Sequence, residues 1–217
     1  MCDDTITPSP FVKNLGVIVD SYLNMERQVN TISRNAYYHL RSISRIQKFL
    51  DAAACNQLVC VLVIPHLDCG NSLLYGLPDY LDDKLKLVQN AVVRLVTQTS
   101  KRKHITSKRK SLHWLPICQR VMYKIAVLVY QCVNGTAPSY PCKLVYLRSV
   151  NRRLSNYSEI WRDLEVPMTL PGAYGSRSFT YAAHQIWNSL PIDLKICPSI
   201  KNLSTIKNPS RTEDQSI

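Results

Sequence analysis

Acidic side chains are scarce: 15 Asp and Glu stand against 27 Lys and Arg in 217 residues, a net charge of +12. Such an excess attracts polyanions, nucleic acid first and an anionic membrane surface second, and says nothing about base sequence. Long apolar runs are lacking too. The longest, residues 58–64, stops at Pro65, far too short to span a bilayer. Met1-Cys2-Asp3-Asp4 reads as no secretory leader. The eight cysteines (Cys2, Cys55, Cys60, Cys69, Cys118, Cys132, Cys142 and Cys197) are therefore expected as free thiols in a reducing, intracellular compartment, cytoplasmic or nuclear. The Asn-x-Ser/Thr sequons at Asn134, Asn156 and Asn202 are then chance matches.

The usual signatures of catalysis are also missing. There is no Gly-rich phosphate loop, no Gly-x-Ser-x-Gly elbow and no His-Glu-x-x-His helix. No Cys-x-x-Cys pair exists, and the pairs Cys55/Cys60 and His113/Cys118 have no matching second pair, so neither a metal nor another cofactor is expected. Asp3-Asp4 looks like the metal-binding pair of a polymerase. That pair works on a strand turn with a further carboxylate, whereas this one precedes Pro8 and Pro10 in a patternless terminus. His39, His104 and His113 have no nucleophile at a recognisable spacing, and fold or phosphate contacts suit them better than catalysis. No catalytic residue is assigned.

Hydrophobic residues make up 46% of the chain, enough for globular structure. Residues 21–50 read as one long helix with two opposite faces. At ~100° per residue, Met25, Val29, Ile32, Ala36, Leu40, Ile43, Gln47 and Leu50 share one side. Arg27, Arg34, Arg41, Arg45 and Lys48, with Tyr38 among them, share the other. An apolar stripe packs on a neighbour, and a row of cations can meet phosphates or simply be solvated.

Before that helix, residues 11–20 are rich in β-formers and suit a strand or tight hairpin. After it, Asp51 caps a helix over 52–64 that Pro65 kinks or ends, and 66–76 is a link. Asp79 caps a helix to about residue 99, with Leu81, Leu85, Val88, Val92, Leu95 and Val96 inward. Pro116 suits the first turn of a helix running to Asn134, with Val121, Ile125, Leu128 and Cys132 buried and Gly135 as C-cap. A short helix is expected over 140–148, an extended stretch over 165–181, and a helix over 178–190 around Phe179, Ala182, Ile186 and Trp187. The expected fold is mainly α: a helical bundle with a short N-terminal β-strand or hairpin and an irregular C-terminal region. It divides into 1–20, 21–150, 151–200 and a frayed tail over 201–217.

The sharpest local charge lies in residues 101–110, where Lys101, Arg102 and Lys103 are followed by Lys108, Arg109 and Lys110. With the cation row of the long helix, these six are the candidate nucleic-acid-binding residues. A localisation signal, or a helical protein-interaction module with a solvated basic surface, is the alternative.

Seven landmarks then appear in order. They are Val12-Lys13-Asn14-Leu15-Gly16-Val17 with Asp20; Tyr38-His39-Leu40-Arg41; and His66-Leu67-Asp68-Cys69-Gly70-Asn71-Ser72-Leu73-Leu74-Tyr75-Gly76. Next come Leu87-Val88-Gln89-Asn90-Ala91; His104-Ile105-Thr106 with Leu112-His113-Trp114-Leu115-Pro116; Asn134-Gly135-x-Ala137-Pro138; and Ile186-Trp187-Asn188-Ser189-Leu190-Pro191. Their succession resembles the end of a reverse transcriptase, an RNA-directed DNA polymerase, from a non-LTR (LINE) retrotransposon of the jockey and chicken-repeat kind. The resemblance implies that Leu15 and Gly16 belong to the strand pair that helps grip the primer, and that the helix from Ser21 opens the thumb. In that family the catalytic aspartates and the endonuclease lie upstream, so a fragment without polymerase activity of its own is implied. Its expected partners are RNA or an RNA–DNA duplex, bound without sequence preference, and the palm domain in trans, with no membrane and no small-molecule substrate. Lys108, Arg109 and Lys110 are more basic than the apolar helix usual there, and residues 151–169 match poorly.

Overall fold

The computed structural model describes residues 9–147, 163–167 and 175–196. The fold is mainly α, with 65% of the described residues helical and one antiparallel hairpin at the N-terminal end. Contacts divide the chain into Met1–Leu112 and His113–Ile217, a boundary inside the segment 21–150 that the sequence treats as one piece.

In the first unit, β1 (Phe11–Asn14) pairs with β2 (Val17–Asp20), placing Phe11 opposite Asp20 and Asn14 opposite Val17. The connection is Leu15-Gly16, both at positive φ (46° and 87°), the two-residue turn whose twist matches paired strands. Leu15 therefore sits at the hairpin tip, not within a strand, and is 94% exposed.

The long helix, α1, spans Glu26–Ile46 and begins five residues later than expected. The Asp20 carboxylate explains the delay. It accepts from the backbone N–H groups of Tyr22 (3.1 Å), Asn24 (2.9 Å) and Met25 (2.8 Å). That folds residues 20–25 into a turn with Leu23 and Met25 at left-handed φ, which no α-helix accommodates. Burial alone would raise the Asp20 pKa, but the donors of Asn24, Met25 and Tyr22 outweigh it and hold the carboxyl below its usual 3.8. A group depressed on folding stabilises above its unfolded pKa, and the contribution is lost as pH falls through the folded value. Asp20→Ala is expected to cost about 1 kcal/mol near neutrality. In urea melts across pH, the gap from the parent should close only below about pH 4.

At its other end α1 stops at Ile46, and Gln47–Phe49 forms a single 3-10 turn, so Lys48 lies beyond the α-helix proper. The apolar stripe follows the periodicity as far as the helix runs, with Met25, Val29, Ile32, Ala36, Leu40 and Ile43 buried, whereas Gln47 and Leu50, beyond its end, are half-buried. Gln28 is buried as well, its Oε1 accepting from the Ile18 N–H at 2.9 Å and fastening β2 to α1.

α2 (Ala52–Leu62) is capped as expected, Asp51 accepting from the Ala54 N–H at 2.7 Å. The segment read as a link after Pro65 is instead ordered into α3 (Ile64–Asp68) and a 3-10 turn at Asn71–Leu74. Pro65 lies in the first turn of α3, where a missing N–H forfeits no helical bond. Gly70, at φ 63°, begins the 3-10 turn, and a Cβ there would lie 2.8 Å from Val17 Cγ2. Gly70→Ala is expected to lower the urea midpoint by the equivalent of about 1–3 kcal/mol, from the left-handed φ and the clash together. Combining it with Val17→Ala should relieve only the clash, giving a non-additive double-mutant cycle.

α4 (Asp79–Thr97) packs along α1, burying Leu81, Leu85, Val88, Val92 and Val96, with Gln89 and Val93 in addition; Leu95 is only half-buried. Asp79 is its first residue rather than its cap, a place taken by Pro78. α5 (Thr106–Ser111) contacts α4 and completes this unit.

The second unit pairs α6 (Ile117–Val133) with α8 (Phe179–Asn188). Pro116 stands at the N-cap of α6, one place outside the expected first turn. Ile117, Val121, Ile125, Ala126, Val129 and Tyr130 are buried, while the expected Leu128 and Cys132 are half-buried. Asn134 is the C-cap of α6, and Gly135, expected there, follows it at φ 68°. The short helix expected over 140–148 is only α7 (Ser139–Cys142). Residues 143–144 turn the chain out of the helix, and Leu147 bridges Leu164 in antiparallel sense. Ser178 caps α8, accepting from the Tyr181 N–H, and α9 (Ile192–Ile196) closes the described chain. The expectations for Asp3-Asp4, for most of 151–174 and for 201–217 lie outside the described residues.

Candidate nucleic-acid interface

α1 carries the expected row of cations on its solvent side, and Arg27, Arg34, Tyr38, Arg41, Arg45 and Lys48 are all exposed. The tertiary fold divides the row in two. Near the hairpin, the Arg27 guanidinium lies 4.0 Å over the Phe11 ring, and with Arg34, Asn30, Thr31 and Ile18 they line a cavity of about 260 Å³.

At the other end, Arg45 and Lys48 face the last turns of α4 across a groove of about 1060 Å³. Arg94 of α4 and Lys101 of the following loop complete its charged lining, with Gln98, Thr99 and Ser100 between them. Arg41 borders an adjoining hollow of about 360 Å³ that shares Tyr37, Arg45, Ala91 and Leu95 with the groove.

Two hydrogen bonds and a turn hold this geometry. Gln47 Nε2 donates to the Leu95 carbonyl, pinning the 3-10 turn that carries Lys48 against α4. Gln98 ends α4 at φ 49°, and the Thr97 and Thr99 hydroxyls bond at 2.8 Å, so the loop swings Lys101 back toward α1. The electrostatics are one-sided. Among the described residues no carboxylate lines the groove, and Arg45, Lys48, Arg94 and Lys101 make no ion pair. Nearer the start of α4 the pattern differs: Lys84 approaches Glu26 at 4.0 Å and Lys86 pairs with Asp83 at 2.9 Å. Arg94 Nε is buried without a hydrogen-bond partner among the described residues, an arrangement a protein holds at a cost.

No family model, curated protein or solved structure matches the chain. The groove is therefore read from its own chemistry.

Of the residues expected from sequence, Arg45, Lys48 and Lys101 meet in the groove and Arg41 borders its extension. Tyr38 does not line it; the ring sits edge-on to His39. Arg102 and Lys103 are exposed on the loop, and Lys108, Arg109 and Lys110 lie in the last turn of α5, outside the groove lining. The groove thus takes one residue of the first basic triplet and none of the second. Arg94, Tyr37 and Leu87 are groove residues that the sequence reading passed over. Their signal was spacing: Leu87, Ala91, Arg94 and Gln98 recur at four, three and four along one face of α4.

Several landmarks of the resemblance have structural work. Asp20 organises the start of α1, and Gly70 admits Val17. Asn188 pairs with the backbone of Leu164 in both directions, accepting from its N–H at 2.9 Å and donating to its carbonyl at 2.8 Å. His39 stacks on His66 at 5.2 Å, and the His66 pKa is lowered by burial and then by the His39 charge. His184 is fully buried between the Thr180 carbonyl and the Tyr146 N–H. His104 and His113 are exposed. The Cys132 thiol is pushed up to about 11 by burial and by its neighbour Cys142, far from a reactive thiolate. Among the described residues no group of three or more His, Cys, Asp or Glu side chains could hold a metal ion, and no helix is long and apolar enough to cross a membrane.

Proposed function

We propose that this chain binds RNA or an RNA–DNA duplex without sequence preference through the groove between α1 and α4. In this reading it corresponds to the thumb and downstream region of a non-LTR retrotransposon reverse transcriptase. The observation that carries the binding is the groove's lining, where Arg45, Lys48, Arg94 and Lys101 converge with no carboxylate among them. Cations held together without an ion pair among the described residues, Lys48 touching only the face of the Phe49 ring, can displace the counterions of a phosphate backbone. The family assignment rests on the seven collinear landmarks. Under it, the chain alone holds nucleic acid for chemistry done elsewhere, with a palm domain as its partner in trans.

Filter binding of RNA and of an RNA–DNA hybrid across a salt series tests the reading. Four phosphate contacts correspond to a slope of log K on log salt of about −3 to −4. A flat response, or no binding at low salt, overturns it. A primed RNA template supplied to the purified chain should yield no DNA, and incorporation would contradict the assignment.

A further inference from the structure

The groove has walls that a duplex cannot use. Beside its cations stand Tyr37 of α1 and Leu87, Ala91 and Leu95 of α4. Leu87 is 60% exposed and Tyr37 36% exposed, both apolar surfaces left open next to concentrated positive charge. A duplex offers a protein its phosphates, sugars and groove edges, and keeps the faces of its bases stacked inside. An unpaired strand offers phosphates and base faces together. Cations alternating with aromatic and apolar walls are the combination that takes such a strand. The form of the groove agrees. At about 1060 Å³, and adjoined by a further hollow of about 360 Å³ that reaches Arg41, it stands at the upper end of the ~300–1,000 Å³ that small ligands fill.

We propose that the groove between α1 and α4 holds a single-stranded segment of RNA or DNA, its phosphates on Arg45, Lys48, Arg94 and Lys101 and a base against Tyr37 and Leu87. This rests on the nucleic-acid reading above and narrows it from paired to unpaired substrate. Gln98, Thr99 and Ser100 give base edges donors and acceptors without selecting among them. The strand is therefore held without sequence preference.

The test is fluorescence anisotropy on the full chain, with a labelled 12-nucleotide oligouridine and a 12-base-pair RNA–DNA hybrid at the same salt. The single strand should bind about tenfold more tightly. Tyr37→Ala and Leu87→Asn should each weaken the single strand about fivefold or more, leave its salt slope unchanged and barely affect the hybrid. Leu87 is 60% exposed, so Leu87→Asn should melt like the parent, and Tyr37→Ala, which loses some packing, is compared at a temperature where its melt shows it fully folded. Tyr38→Ala, exposed but outside the groove, should leave strand affinity unchanged. A hybrid that binds as tightly as the strand, or a Tyr37→Ala variant that binds the strand like the parent, overturns this inference while salt-dependent binding leaves the broader reading intact. Loss of binding to both probes by the parent overturns both. So does an acidic amphipathic peptide that binds and is weakened by the same groove substitutions when neither nucleic acid binds.

Discussion

Replacing Arg45 and Arg94 together by glutamine should reduce the slope of log K on log salt by about 1.4 to 1.8, and weaken binding near 0.1 M salt by about 10- to 50-fold. The two side chains come from different helices and meet only because α4 lies along α1. Each is expected to neutralise one phosphate. A phosphate that meets no cation keeps its condensed counterion, and the slope measures how many counterions binding releases. The informative control is Arg102→Gln with Lys103→Gln. That pair removes the same total charge from exposed loop positions outside the groove lining. If affinity depends only on the excess of +12, the two double variants will behave alike. If the groove is the site, the first will fall well below the second. Arg45 is exposed and Arg94 has no ion pair among the described residues, so neither change should unfold the unit.

Trp187→Ala carries the largest expected effect on stability, a loss of about 3–5 kcal/mol. Its side chain is fully buried on α8, whose neighbours are α6 and the segment around Leu164. Removing an indole leaves a cavity that the flanking helices can only partly close. A natural domain is stable by about 5–15 kcal/mol, so this change should leave the second unit close to unfolding. Hydrogen exchange reads the outcome locally, with amides of α6 and α8 losing protection. Asn188→Ala should act through a different cause. It removes both hydrogen bonds to Leu164 and strands a backbone N–H and carbonyl, at about 1–3 kcal/mol. Its signature is early exchange at Leu164. Unchanged protection in either variant would show that these landmark residues do not hold the unit together.

Much of the fold was readable because burial follows local periodicity. The α1 stripe from Met25 to Ile43, the Asp51 cap and the Ser178 start of α8 all depend on residues within a turn or two of one another. The errors lie where a side chain reaches beyond that range or two weak preferences compete. Asp20 delayed α1 by capturing three backbone donors, and Pro65 opened a helix where a link was expected. Beyond Cys142, the chain's bridge to Leu164 won over a short helix.

Local order along the chain thus determined the mainly helical class, the buried faces and the basic character of the surface, because each follows from spacing and composition. Tertiary structure alone decided which cations line one groove. The α1 row, uniform in sequence, is divided because the hairpin lies by one half and the last turns of α4 by the other. Arg94, Tyr37 and Leu87 join Arg45, Lys48 and Lys101 only through the packing of helices some fifty residues apart, which no local pattern encodes. The basic triplets, conspicuous in sequence, are separated because Lys101 turns back toward α1 while Lys108, Arg109 and Lys110 continue into α5.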